Sequence, residues 1–123
     1  MQYTRYLSGN NPWWIIMQDA EYEERVDQLF NAIEDEIDEV EADIDVDASA
    51  GILTIEFPDS SHVILSRQIA NREVWIAARS GGYHLALDDD EWYCRTSSES
   101  LSVLLNRVFT EQLGKVVSGF DLH

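Results

Sequence analysis

The sequence predicts an α+β fold: a two-layer α/β sandwich, with N- and C-terminal helices packed on one face of a five- to six-stranded antiparallel sheet. Three observations carry this expectation. Apolar residues recur at helical spacing between Asp19 and about Val40. The period changes to two after Ala42, and helical spacing returns between Leu101 and Gln112. Short strands joined by turns argue for a meander, and each helix has one apolar face to bury. At 123 residues and 45% hydrophobic, the chain can bury a core of its own, which argues against disorder.

The first helix follows from Tyr22, Val26, Leu29, Phe30, Ile33, Ile37 and Val40, which fall within a stripe roughly 100° wide at about 100° per residue. Glu24, Asp27, Glu34, Asp35, Asp38 and Glu39 take the opposite side. Asp43 to Asp47 then alternates acid and aliphatic, the pattern of an acidic edge strand. Ile52–Phe57 is a strand with Leu53, Ile55 and Phe57 on one face. A turn at residues 58–61 leads into His62–Gln68, with Val63 and Leu65 inward. Glu73–Arg79 turns Val74, Ile76 and Ala78 inward. Ser80-Gly81-Gly82 connects it to Tyr83–Asp88, and Asp88-Asp89-Asp90 connects that to Glu91–Arg95.

Thr96 to Glu99 matches a capping box, with Thr96 as N-cap of the second helix. Leu101, Leu104, Leu105, Val108 and Gln112 form its inner face, and Gly114 is its stop. The remaining tail can cover the seam between the helices with Val116, Val117, Phe120 and Leu122. Residues 1–16 are taken as an N-terminal appendage and 17–123 as a single domain, with Met17 an alternative start. The Pro12-Trp13-Trp14-Ile15-Ile16-Met17 segment, with its two Trp and two Ile, is too short for a signal-peptide core and is followed by acids rather than a cleavage site. It suits docking on an apolar patch or self-association.

Charge narrows the function. The chain carries a net charge of −16, and Asp19–Asp47 holds 14 of its 24 acids against one base, Arg25. Such a field repels nucleic acid and anionic membrane surfaces and attracts cations and basic protein patches. No apolar run approaches the ~20 residues of a membrane span. With one cysteine, Cys94, no intrachain disulfide forms, and a reducing cytoplasmic setting fits. Cys94 lies in a strand pattern, as a buried inert thiol does.

Glu34, Asp35, Asp38, Glu39 and Glu41 crowd the end of a helix whose dipole is already negative there, and Asp43, Asp45 and Asp47 continue the run. Like charges at i,i+4 destabilise a helix, so these acids suggest a purpose beyond solubility, the competing reading. An all-carboxylate set suits oxygen-preferring cations such as iron, manganese, magnesium and calcium. Without His or Cys it encodes a weak, exposed, multi-site surface rather than a closed tetrahedral centre. On the sheet, alternation puts Trp75 and Arg79 on the face away from the helices, with Arg67 if the registers match. Tryptophan beside arginine is an interface composition; the competing reading is a buried Trp75 with the register shifted by one. His62, His84 and His123 are isolated, and no nucleophile, phosphate-loop or dinucleotide motif is present.

Several of these segments, in this order, resemble the frataxin family, and most nearly its bacterial CyaY branch: Gly51-Ile52-Leu53-Thr54-Ile55, Ser66-Arg67-Gln68, Val74-Trp75-Ile76-Ala77 and Gly81-Gly82-Tyr83-His84. Asp27-Gln28-Leu29-Phe30, Ile33-Glu34 and Asp90-Glu91-Trp92-Tyr93-Cys94 fit as well, so the resemblance runs from about Met17 to Gly114. It implies the same two-layer sandwich and weak iron binding, replaceable by other divalent cations, on an acidic ridge. It also implies a role in iron–sulfur cluster assembly with a cysteine desulfurase and a scaffold protein, as iron-dependent regulator or iron donor. The family's alternative is ferroxidase or iron storage, against which the lack of a histidine-bearing di-iron motif counts. By position, the ridge is Glu34, Asp35, Asp38, Glu39, Asp43, Asp45 and Asp47, and Arg67, Gln68 and Trp75 belong to a partner-facing surface. The chain is expected to be a monomer, with metal-induced oligomers as a further state. Three departures stand out: Ser66 replaces an Asn, Ile69-Ala70-Asn71 replaces a Pro-containing segment, and Glu23 stands where some bacterial members have His.

Overall fold

The computed structural model describes residues 13–122, with side-chain environments from Gln18 onward. The elements are α1 (Trp13–Glu39), β1 (Asp45–Ser49), β2 (Ile52–Glu56), β3 (His62–Gln68), a 3-10 turn (Ile69–Asn71), β4 (Glu73–Ala78), β5 (Gly81–Asp88), β6 (Glu91–Cys94), β7 (Glu99–Ser100) and α2 (Leu101–Leu113). All strands pair antiparallel in chain order, so the sheet is one seven-stranded meander with β1 at an edge. The β1–β2 and β5–β6 turns each have two residues with positive φ, Ala50-Gly51 and Asp89-Asp90. That geometry matches the right-handed twist of the strands it joins.

Both helices cover one sheet face, as the two single-sided apolar patterns require. The core is Tyr22, Val26, Leu29, Phe30, Ile33 and Ile37 from α1 and Leu101, Leu104, Leu105, Val108 and Phe109 from α2. They meet Leu53, Ile55, Val63, Leu65, Val74, Ile76, Leu85, Trp92 and Cys94 from the sheet. Each fully buried aliphatic or aromatic side chain of this kind contributes about 1.5–3 kcal/mol. Edge-to-face contacts of Phe109 with Phe57 and Phe120 tie the turn after β2 and the tail to α2. Gln112 is the one buried polar residue recorded in the core, and its amide is satisfied. It accepts from the Arg79 N–H and donates to Ser61 Oγ and the His62 carbonyl.

Five expectations need correction. First, α1 begins at Trp13 rather than Asp19, because nothing between them breaks a helix. The side chains of residues 13–17, residues 1–12 and His123 lie outside the described residues. Second, β7 is an additional two-residue strand pairing with Tyr93 and Cys94, which raises the strand number to seven.

Third, that extra strand moves the start of α2. Its N-cap is Ser100, whose Oγ accepts from the Val103 N–H, and not Thr96. Thr96 lies in the preceding turn, with its hydroxyl 3.3 Å from Cys94 Sγ. Glu99 is committed to Arg107 instead of to a capping box. Fourth, the tail buries Val117, Phe120 and Leu122 as expected, but Val116 is 82% exposed. The first strand also starts at Asp45, leaving Asp43 in the connection from α1. Gly114 does end α2, in the left-handed conformation, with its N–H on the Thr110 carbonyl.

Candidate functional site

The ridge is built by the end of α1 and the edge strand. Ile33 and Ile37 are buried, so helical geometry turns Asp35, Asp38 and Glu39 to solvent and leaves Glu34 half-buried. After Glu39 the chain turns tightly, with the Val40 N–H on the Ile37 carbonyl and the Ala42 N–H on the Val40 carbonyl. Glu41 and Asp43 are exposed in this connection. In β1, Val46 packs against the core, so Asp45 and Asp47 stand on the opposite sheet face. The ridge is therefore continuous along the chain but wraps around an edge. Among the described residues, no three His, Cys, Asp or Glu side chains converge closely enough to hold one metal ion.

The contrast with the start of α1 is sharp. Asp19 pairs with Arg72 at 2.9 Å, Glu23 with Arg67 at 2.6 Å and Asp27 with Arg67 at 2.8 Å. Among the described residues, Glu34, Asp35, Asp38, Glu39, Glu41, Asp43, Asp45 and Asp47 make no ion pair. The one side-chain hydrogen bond recorded for them is from Ser49 Oγ to Asp47, at 3.1 Å. Eight carboxylates with no basic partner at the negative end of a helix make a cation-attracting surface.

The open sheet face holds the second group. Trp75 is half-buried there, stacked on His84 with ring centroids 4.2 Å apart and planes 8° from parallel. The register opposes the two residues on β4 and β5. The indole N–H donates to Glu73 at 2.8 Å, which fixes the ring. Gln68 and Ser66 share this face and meet at 3.4 Å, and Ser66 lies opposite Trp75. Ile64, Ala77 and Gly82 extend it as an apolar surface. The stack was not foreseen; the signal was the equal distance of Trp75 and His84 from the β4–β5 turn.

Two residues expected on this face are elsewhere. Arg67 has the parity of Val63 and Leu65, pairs with inward Val74 in the register, and faces α1. Its guanidinium bonds Glu23 and Asp27 and lies 5.3 Å from the Phe30 ring centroid. Burial would lower its pKa, but Asp27 and Glu23 more than offset that and raise it. Arg79 is a turn residue beyond the end of β4. It binds Asp59 at 3.0 Å and the Glu111 carbonyl at 2.9 Å, so it ties two loops to α2 rather than joining Trp75. Arg79 in turn helps Ser61 to hold the Asp59 carboxyl below the usual range.

Other titratable groups serve the frame. Burial pushes the Tyr22 hydroxyl pKa up, and that hydroxyl bridges β3 and β4 by accepting from the Gln68 N–H and donating to the Glu73 carbonyl. Arg107 grips Glu99 in a bidentate pair at 2.8 and 2.9 Å, holding that carboxyl below its ordinary value. Burial raises the Cys94 thiol, but hydrogen bonds at Ser97 and Thr96 leave it lowered on balance.

Comparison with known proteins agrees with this architecture. The family model described as the frataxin-like domain matches residues 15–115. The iron–sulfur cluster assembly protein CyaY of Stutzerimonas stutzeri is 42% identical over 108 residues, which cover 86% of this chain and 98% of that protein. The frataxin of Psychromonas ingrahamii superposes with a TM-score of 0.76 at 29% identity, covering 84% of this chain and 98% of that one. The trimeric frataxin of the yeast Saccharomyces cerevisiae, complexed with ferrous iron, gives a TM-score of 0.62 at 25% identity, over 77% of this chain and 87% of that one. The chain belongs to the frataxin family.

Proposed function

We propose that this frataxin-family chain works in iron–sulfur cluster assembly in the cytoplasm, as a weak iron-binding protein that regulates a cysteine desulfurase or supplies it with iron. The observation that carries this reading is the unpaired ridge. Seven exposed carboxylates and the half-buried Glu34 have no basic partner, whereas acids earlier on the same helix do. Oxygen-only donors in open positions suit ferrous iron held as cargo, with fast release and modest selectivity. The relative named for iron–sulfur cluster assembly and the yeast frataxin named as a ferrous complex support it. Glu34, Asp35, Asp38, Glu39, Glu41, Asp43, Asp45 and Asp47 are the proposed iron residues. Gln68 and Trp75, on the open face, are proposed to meet the desulfurase or the scaffold protein, with the ridge steering a basic partner surface toward them.

An anaerobic ferrous titration followed by backbone amide NMR tests this, with magnesium as control and a purified cysteine desulfurase as a second titrant. Broadening confined to residues 34–47, at iron levels where magnesium has no effect, is the expected result. The desulfurase should perturb the ridge and the Trp75 face, less so as salt is raised. A ferrous titration with no localised response would remove the iron reading. A desulfurase titration with no response would remove the partner.

A further inference from the structure

The last turn of α1 carries carbonyls without intrahelical donors and has no basic residue of its own. A cation does reach this end, from the other terminus. Lys115, the only lysine in the chain, donates from Nζ to the Glu41 carbonyl oxygen. The groove around this contact is lined by Glu36, Glu39, Glu41 and the Lys115–Gly119 segment. Among the described residues, Lys115 makes no carboxylate ion pair, so its charge is shared by the whole groove.

The segment that carries Lys115 is held on both sides. Ser102, Asn106 and Thr110, one turn apart on α2, each form a reciprocal pair of hydrogen bonds with the tail backbone, at Leu122, Phe120 and Val117 respectively. Across the seam, Gly119 lies so close to α1 that a Cβ there would come within 2.2 Å of Glu36 Oε2. Gly114, left-handed, is the pivot between α2 and this strap. The tail is thus fixed at Val117–Leu122, while its first residues depend on the contact with α1.

We propose that Lys115 is a tethered counter-ion: its ammonium holds the place at the C-terminal end of α1 that a hard divalent cation would take, so cation binding and strap attachment oppose each other. This rests on the reading of the ridge as a cation surface, and it adds the regulation of that surface. The ammonium repels an incoming divalent ion through a few ångströms of hydrated groove, which weakens binding by about three- to tenfold at low salt. By reciprocity, the ion weakens the Lys115 contact by the same factor and frees Lys115 and Val116, while the stitches to α2, which begin at Val117, stay closed.

Manganese(II) alone is the probe, titrated at low ionic strength against the full chain and read from the free-ion resonance. Lys115→Gln should bind it about three- to tenfold more tightly than wild type, and Lys115→Arg should match wild type. Arg95→Gln removes the same charge from the exposed turn after β6 and should leave the affinity unchanged. Equal affinity in wild type and Lys115→Gln, or an equal gain in Arg95→Gln, would overturn the strap and leave the cation ridge standing. If neither wild type nor Lys115→Gln binds manganese, the ridge reading falls and the strap falls with it.

Discussion

The two halves of α1 use the same residue type for opposite ends. In the first half, Asp19, Glu23 and Asp27 lie at i, i+4 and i+8, a single line down the helix, and meet Arg72 and Arg67 from the end of β3 and the turn after it. Arg25 reaches the other way, to Asp90 in the β5–β6 turn. In the second half, Glu34, Asp35, Asp38 and Glu39 have comparable spacing and, among the described residues, make no ion pair. The number of acids does not distinguish the halves. What distinguishes them, among the described residues, is pairing: Arg67 and Arg72 meet acids of the first half, and no arginine pairs with an acid of the second. The first half fastens helix to sheet, and the second is left as a surface charge.

The largest expected effect comes from breaking the paired half. Arg67→Ala strips the partner from Glu23 and Asp27 together and uncovers Phe30. Its side chain is only 21% exposed, so the cost should be about 2 kcal/mol, read as a lower denaturation midpoint at unchanged slope. A loss under about 0.5 kcal/mol would place the pair with ordinary exposed ion pairs and erase the contrast between the halves.

Glu99 sharpens the same comparison away from α1, because it is another acid held by an arginine. Its carboxyl lies below the ordinary 4.5, with Arg107 as the main cause. A depressed carboxyl pKa stabilises the fold above the unfolded value, and that contribution is lost as pH falls through the folded one. Glu99→Gln should therefore cost about 1.5 kcal/mol at pH 7, and the gap to wild type should close as pH falls below 4.5. A gap that stays constant down to acid pH would mean that packing, not charge, holds this corner.

Most of the fold was legible because it rests on period. The apolar stripe of α1, the alternation of β2 to β4 and the inner face of α2 predicted most of their buried residues, but Phe109 of α2 was missed and Val40 and Ala78 are only half-buried. What lacked a period was missed: β7 has two residues, too few to alternate, and it moved the helix cap from Thr96 to Ser100. Arg67 was legible and misplaced. Its parity with Val63 and Leu65 put it inward, whereas an assumed register match with Trp75 and the family resemblance put it on the partner-facing surface. The carboxylates were legible as a run, but not which of them lack a base, since pairing depends on Arg67 and Arg72, some forty residues away in sequence or more. The tail stitches left a faint signal in Ser102, Asn106 and Thr110 at spacings of four, but their partners are backbone groups, which sequence does not mark.

The smallest effect is also the one that separates the halves by sign. Replacing Glu34, Asp35, Asp38 and Glu39 by their amides removes two i,i+4 repulsions, each worth about 0.2–0.5 kcal/mol, and four negative charges from the negative end of the helix. The variant should be more stable than wild type by about 1 kcal/mol at low ionic strength, where removing the acids that Arg67 holds would destabilise. The gain should shrink toward zero in molar salt, because exposed charges are screened over about 3 Å there. A lower midpoint in low salt would show that these four side chains have stabilising partners after all, and the two halves of α1 would then differ in degree rather than in kind.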